Sequence, residues 1–183
     1  MHTFVALLRG VNVGGHQKLT NETLRKVCEQ AGFTSVRTYL QSGNVVVRGN
    51  ERSAKRVAAA IGSALTAMAG LSVDVIVRTG AEMRDVIANN PLASPDRAGN
   101  KLVVLFLGGA IAPPALAALE EEQATGELIE LRGRELYAYF PEGMGRSKLA
   151  EAFAPKKLGV SCTARNWNSV TALHKLVEEL ESS

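Results

Sequence analysis

The sequence predicts an α+β protein made of duplicated ferredoxin-like βαββαβ units with antiparallel sheets, followed by a C-terminal helix. Two observations carry this prediction. Apolar patterns typical of strands and helices follow one another in the order β-α-β-β-α-β before residue 90, and the same order returns after residue 100. The stretch between them, "PLASPDRAGN", has the prolines, glycine and polar side chains of an interdomain connection. We therefore expect a first subdomain over residues 1–90, a linker over 91–100 and a second subdomain over 101–183.

The first set of elements starts with an apolar run at residues 4–8, which predicts a central strand because both of its faces are apolar. Thr20 is a favourable N-cap for the helix that follows, and Gly32 supplies the end of that helix. A second amphipathic helix ends at Gly70, and alternating valines at residues 73–77 predict the next strand.

A hairpin is predicted between these two helices. Residues 36–40 and 45–48 are rich in β-forming side chains, and Gln41-Ser42-Gly43-Asn44 between them contains a Ser-Gly turn signal. After the last strand of the set, Thr79 and Glu82 have the spacing of a capping box, which predicts a short further helix.

The second set repeats this order. A strand is predicted at residues 102–107, a helix at 113–122 and a hairpin at 128–131 with 136–140. A second helix at 148–153 and a strand at 160–163 complete the set. Local phrases also recur, since "GLSV" before the last strand of the first set corresponds to "GVSC" in the second. A final helix starts near Asn168 and carries apolar side chains at core spacing. These features predict an internal duplication.

The composition is that of a globular protein with an apolar core. The chain has 183 residues, 46% of them hydrophobic, and its formal net charge of +3 suits an anionic partner without requiring one. Cys28 and Cys162 have no pairing pattern, so we expect two reduced cysteines. Neither a signal peptide nor an apolar run long enough to span a membrane is found, so we expect a cytoplasmic protein without membrane contact.

A glycine-rich loop, "RGVNVGG", lies between the first strand and the first helix. The backbone N–H groups of Gly14 and Gly15 are candidates to surround an anion, and Arg9 adds positive charge. Asn12 replaces a glycine of the dinucleotide-binding fingerprint, and His16 stands where a P-loop needs lysine, so neither motif applies. The alternative is that the glycines serve only a tight connection.

The turn at residues 41–44 is expected next to this loop. In a βαββαβ sheet the first and third strands are antiparallel neighbours, so the start of the third strand lies beside the end of the first. Ser42 and Asn44 thereby become candidate ligand residues. The alternative is a plain hairpin turn.

Two segments of the second set combine cations with turn residues. Arg165 and Asn166 precede the last helix, where the arginine is able to bind a planar anion and either Asn166 or Asn168 is able to cap the helix. Ser147 and Lys148 follow a glycine-rich turn in the phrase "PEGMGRSKL". The alternative is a purely structural role, with Trp167 in the core and Arg165 in a salt bridge.

No catalytic or metal-binding constellation stands out in the sequence. His2, His16 and His174 have no ligand spacing with cysteine or carboxylate residues, and there is no GxSxG motif or pair of catalytic carboxylates. We predict no metal site, and no cofactor is indicated.

Four long motifs resemble a bacterial family catalogued as domain of unknown function 1697. They are "FVALLRGVNVGGHQKL", "GFTSVRTYLQSGNVVV", "YFPEGMGRSKL" and "TARNWNSVTAL", in this order over nearly the whole chain. The resemblance implies a duplicated ferredoxin-like α+β fold and no established activity. Transfer of the motif positions identifies the candidate ligand residues Arg9, Asn12, Gly14, Gly15, Ser42, Gly43, Asn44, Ser147, Lys148, Arg165, Asn166 and Trp167.

These residue types favour binding over acid-base catalysis, and whether the protein is an enzyme is left open. The leading hypothesis is a protein that binds an anionic or phosphate-bearing small molecule or nucleotide in a cleft between the subdomains. One alternative is a nucleic-acid-binding protein, which the small share of aromatic residues disfavours. The other is an interaction module with purely structural glycine motifs. The oligomeric state is not predicted.

Overall fold

The computed structural model describes residues 1–12 and 19–183. These residues divide into two compact units. The first unit comprises Met1–Ile87 together with Thr171–Ser183, and the second comprises Ala88–Val170. The last residues of the chain thus group with the first unit, whereas the sequence analysis places the whole final helix in the second subdomain.

The first unit is built around a central strand. Its elements in chain order are β1 (His2–Leu8), α1 (Asn21–Gln30), β2 (Thr34–Thr38), β3 (Asn44–Gly49), α2 (Ala54–Ala69), β4 (Val75–Thr79) and α3 (Gly80–Ala88). The strands form an antiparallel sheet in the order β2-β3-β1-β4. The predicted central strand is confirmed, because β1 pairs with β3 on one side and with β4 on the other, and its apolar side chains are fully buried.

Helices α1 and α2 cover one face of this sheet. Phe4 of β1, Leu24 of α1 and Ile61 of α2 lie in one apolar core. The predicted helix ends are confirmed, since Thr20 caps α1 with its side chain and Gly70 ends α2 in the left-handed conformation.

The second unit repeats this arrangement. Its elements are β5 (Leu102–Leu107), α4 (Pro113–Glu121), β6 (Leu128–Arg132), β7 (Glu135–Tyr139), a 3-10 turn (Met144–Arg146), α5 (Lys148–Ala152), α6 (Pro155–Leu158), β8 (Cys162–Asn166) and the start of α7 (Trp167–Glu181). The sheet order is β6-β7-β5-β8. Helix α5 confirms the helix predicted at residues 148–153, and a further short helix, α6, follows it because Pro155 favours the first position of a helix.

The two units also share their pairing register. Leu8 of β1 pairs with Val75 of β4, and Leu107 of β5 pairs with Cys162 of β8 at the corresponding position. Within the described residues, two similar units with antiparallel four-stranded sheets and a C-terminal helix confirm the predicted α+β fold class.

The end of α7 lies against α3 of the first unit. A Cβ atom added to Gly80 would come within 3.0 Å of Val177 Cγ1 and even closer to a carboxylate oxygen of Glu181. Arg84 of α3 forms an ion pair with Glu181. These contacts explain why Thr171–Ser183 group with the first unit. The sequence could not predict this grouping, because the periodicity of a helix does not show which neighbour its apolar stripe covers.

Candidate functional site

The candidate residue Arg9 lies at the exposed end of β1. Its backbone N–H donates to the Asp74 carbonyl at 2.9 Å, and its guanidinium group is 4.0 Å from the Asp74 carboxylate. An ion pair of this length between exposed side chains contributes little to stability. The Arg9 side chain is therefore accessible to a ligand.

Asn12 holds the opening loop in place. Its Oδ1 accepts a hydrogen bond from the Leu19 N–H at 2.7 Å, and its Nδ2 donates to the carbonyls of Leu19 at 2.8 Å and Gln41 at 2.7 Å. The residue has a φ of 60°, a conformation that asparagine adopts more readily than most residues. The side chain thus joins both ends of the loop to the turn at residues 41–44. Gly14 and Gly15, predicted to donate N–H groups to an anion, lie outside the described residues.

The predicted proximity of loop and turn is confirmed. The Leu8 N–H donates to the Gly43 carbonyl at 2.8 Å. Gly43 has a φ of 70°, and an added Cβ would lie 2.5 Å from Val11 Cγ2 and 2.7 Å from Leu8 Cβ. Both the backbone conformation and the available space therefore require glycine at position 43.

Asn44 stabilises the turn from inside the protein. Its side chain is fully buried, and Nδ2 donates to Ser42 Oγ at 2.7 Å and to the Tyr39 carbonyl at 3.1 Å. The Tyr39 N–H in turn donates to the Asn44 carbonyl at 3.0 Å. Of these two candidate ligand residues, Ser42 is the exposed one.

In the second unit, Arg165 is half-buried at the end of β8. One guanidinium nitrogen, Nη1, donates to Thr163 Oγ1 and to the Ala164 carbonyl, both at 2.8 Å. Burial lowers the pKa of Arg165 to about 10, so the side chain is still positively charged at neutral pH. The neighbouring Asn166 accepts the Ser169 N–H at 2.9 Å and so caps α7, as one alternative predicts.

Arg78 is the counterpart of Arg165 in the first unit. It lies on β4 one residue before the end of the strand, is fully buried, and donates Nη1 to the Val77 carbonyl at 3.1 Å. It was not among the residues predicted from the sequence. The available signal was the recurrence of arginine followed by a helix-capping residue in Arg78-Thr79 and Arg165-Asn166.

The second unit also contains a cleft of about 540 Å³ beside Lys148. We call it the second-unit cleft. It is lined by Glu121, Glu122, Gln123, Ala124, Thr125, Glu127, Pro141, Glu142, Gly143, Arg146, Ser147 and Lys148. Arg165 and Asn166 do not line it. Ser147 accepts the Ala150 N–H at 3.1 Å and thereby caps α5, which places Lys148 at the first position of that helix.

The charges along the second-unit cleft are mixed. Arg146 and Lys148 are exposed, and within the described residues neither side chain has an ion-pair partner. Three exposed carboxylates, those of Glu121, Glu122 and Glu142, line the same cleft. A ligand with an anionic group and several hydrogen-bond donors would match this arrangement better than a simple anion.

Metal-ligating side chains are not grouped in the described part of the chain. No group of three histidine, cysteine or acidic side chains there is arranged to hold a metal ion. Both cysteines are buried, and burial raises the pKa of the Cys28 thiol to about 12. Among the described helices, none is long and apolar enough to cross a membrane.

Comparison with known proteins agrees with the observed fold. The family model described as "Protein of unknown function (DUF1697)" matches residues 1–137. The chain is similar to the structure of conserved bacterial protein SP0830 from Streptococcus pneumoniae, with a TM-score of 0.77 and 19% identity over 96% of this chain and 98% of that chain. At this identity the likeness shows the fold alone. None of the curated proteins matches the chain.

Proposed function

This chain belongs to the DUF1697 family, and on that premise we propose that it binds a small molecule that carries a phosphate group together with hydroxyl or amino groups, such as a nucleotide. The observation that carries the proposal is the second-unit cleft, where two cations without an ion-pair partner among the described residues and several exposed carboxylates line one volume. Ligand pockets commonly have volumes of about 300–1,000 Å³. The cleft, at about 540 Å³, lies within that range.

The phosphate group would bind to Arg146 and Lys148. A guanidinium group donates two parallel hydrogen bonds to a phosphate, and an ammonium group adds a compact positive charge. Because neither side chain is neutralised by a described residue, a phosphate would not have to displace a carboxylate from them.

The hydroxyl or amino groups of the ligand would bind to the carboxylates of Glu121, Glu122 and Glu142. Ionised carboxylates only accept hydrogen bonds, so they favour sugar hydroxyls and base amino groups over further phosphates. A fourth carboxylate, that of Glu127, already accepts the Ala124 N–H at 3.0 Å and shapes the turn beneath the cleft.

The sequence-based assignment of Arg9, Gly14, Gly15 and Arg165 as anion ligands stays a prediction. It is supported by the exposure of Arg9 and by the positive charge of Arg165 at neutral pH. Calorimetric titration of wild type and Arg165→Ala with phosphate and nucleotides tests it, and equal binding by both proteins would remove Arg165 from the site.

The nucleic-acid alternative gains no support from the sheets. In the described central strands β1, β3, β5 and β7 the aromatic side chains are Phe4, Phe106, Tyr137 and Tyr139, and the first three are buried. Platforms for single-stranded RNA need exposed aromatic rings on these strands. Small-molecule binding is therefore the stronger proposal.

We also propose that the two units arose by duplication. The shared strand order, the equal pairing registers and the capping residue that ends the last strand of each unit support this origin.

Calorimetric titration of the full chain with adenosine 5′-monophosphate tests the proposed function, with adenosine as the probe that lacks phosphate. We expect Arg146→Gln and Lys148→Gln each to weaken nucleotide binding about tenfold, the effect of losing one charge-assisted hydrogen bond. Lys156→Gln is the matched control, because Lys156 is exposed and does not line the cleft. Absence of binding by the wild type, or equal binding by all four proteins, would overturn the proposal.

A further inference from the structure

The first unit contains a second pocket, of about 370 Å³, lined by Arg48, Arg52 and Arg84. We call it the arginine pocket, and we propose that it binds the phosphate group of a small phosphate ester or diphosphate. The pocket lies in a different unit from the second-unit cleft, so this inference stands independently of the function proposed above.

Arg48 is the innermost of the three arginines. It lies on β3 opposite Thr3 of β1 and is half-buried. Its Nε is buried and has no hydrogen-bond partner among the described residues. A partly desolvated cation without a counter-ion is unfavourable, and an anion in the pocket would provide the missing charge.

Arg52 follows β3 and presents a second available cation. The acid next to it, Glu51, is occupied elsewhere: its carboxylate accepts the N–H groups of Arg52 and Ser53 and pairs with Arg56 at 2.9 Å. These backbone hydrogen bonds, with Arg56 as a smaller contribution, lower the pKa of Glu51. The Arg52 guanidinium group is thus left without an acidic partner among the described residues.

Arg84 of α3 is held by the ion pair with Glu181. Glu181 is the one carboxylate among the residues that line the pocket in the described structure, and it lies directly over Gly80. Three guanidinium groups and one carboxylate give the side chains of the lining a formal net charge of +2, with His2 counted as neutral. The pocket therefore favours a doubly charged anion such as a phosphate monoester.

The chemistry of the lining distinguishes phosphate from a single carboxylate. Guanidinium-bearing residues on β3, in the segment after it and on α3 line the same pocket, and a tetrahedral phosphate offers enough oxygens to bind more than one of them. Thr3 and Thr79 also line the pocket. The volume of about 370 Å³ accommodates a small ester and restricts the ligand to small-molecule size.

Titration of the full chain with pyrophosphate, followed by calorimetry and by the backbone amide NMR signals of Gly80 and Ala81, tests the inference. We expect Arg52→Gln to weaken binding about tenfold, because an exposed arginine is removed without disturbing the core. Arg25→Gln is the matched control, since Arg25 is exposed on α1 away from the pocket. We expect Glu181→Gln to strengthen binding at least about threefold, because it releases Arg84 and removes the opposing charge.

Four results would overturn the inference. The first is absence of pyrophosphate binding by the wild type, and the second is equal binding by wild type and Arg52→Gln. The third is a set of amide shifts confined to residues 141–148, which would leave the second-unit cleft as the binding site. A single-stranded oligonucleotide that binds far more tightly than pyrophosphate and with a steep salt dependence would assign the arginines to nucleic acid instead.

Discussion

Arg78 and Arg165 occupy the same position in the two sheets. Arg78 pairs with Val5 of β1, Arg165 pairs with Val104 of β5, and each donates Nη1 to the carbonyl of the residue before it. The difference between them is exposure, since Arg78 is fully buried and Arg165 is half-buried.

This difference predicts unequal effects on stability. We expect Arg78→Ala to lower the free energy of unfolding by about 2–5 kcal/mol, because a large buried side chain is lost together with its packing. We expect a loss of about 1–2 kcal/mol for Arg165→Ala, since a half-buried side chain loses less packing than a fully buried one. Urea denaturation measures both values, and a larger loss in Arg165→Ala would contradict the prediction.

Gly43→Ala should destabilise the protein by about 2–4 kcal/mol, because alanine is strained in the left-handed backbone conformation and its Cβ would also clash with neighbouring atoms. The clash is with Val11 Cγ2 and Leu8 Cβ. Gly10→Ala is the matched control, because Gly10 has the same φ of 70° but no atom of a described residue within 4 Å of an added Cβ. We expect a loss of only about 1 kcal/mol for that variant. Equal thermal unfolding midpoints for the two variants would show that the contacts of Gly43 are unimportant.

Asn12→Ala should loosen the connection between the opening loop and the turn. Three hydrogen bonds are lost, and we expect the free energy of unfolding to fall by about 1.5–3 kcal/mol. Hydrogen exchange provides a local measurement, because the Leu19 N–H loses its acceptor in this variant. Asn50→Ala, a change at an exposed position, is the control. Unchanged protection of the Leu19 amide would contradict the role assigned to Asn12.

The buried thiol of Cys28 predicts a dependence of stability on alkaline pH. Its pKa is about 12 in the folded protein and about 9.0 in the unfolded chain, because burial disfavours the thiolate. The unfolded state therefore releases a proton first as the pH rises above about 9, and stability falls until the pH reaches about 12.

Urea denaturation at pH 8 and pH 10.5 measures this effect. We expect wild type to lose roughly 2 kcal/mol more than Cys28→Ala between these conditions. Both proteins contain Arg165, whose pKa burial lowers to about 10, so its contribution cancels in the comparison. Equal losses in the two proteins would show that Cys28 does not titrate differently on folding.

Much of the fold could be predicted from local signals. Thr20, Gly70 and the Thr79–Glu82 capping box mark helix ends through contacts within a few residues, and all three are observed. The contact between the opening loop and the turn at residues 41–44 could be predicted from the strand order alone. Two of the four motifs that resemble the family lie within residues 1–137, which the family model matches, and the other two lie after them.

The candidate site was harder to predict, because a side chain is available to a ligand only where it is not already hydrogen-bonded or ion-paired within the protein. Asn44 and Asn166 are residue types common in binding sites, yet here they stabilise a turn and cap a helix. The three arginines that line the arginine pocket lie on β3, after β3 and on α3, and no sequence spacing connects them. Their convergence is a property of the tertiary structure.

The assignment of Thr171–Ser183 to the first unit makes that unit discontinuous in sequence. During synthesis on the ribosome, the whole of Ala88–Val170 emerges before the residues that contact Gly80 and Arg84. The second unit can therefore fold on the nascent chain while the first still lacks part of its structure. Completion of the first unit, and of the pocket wall formed by Glu181, has to wait until the last turn of α7 has left the exit tunnel.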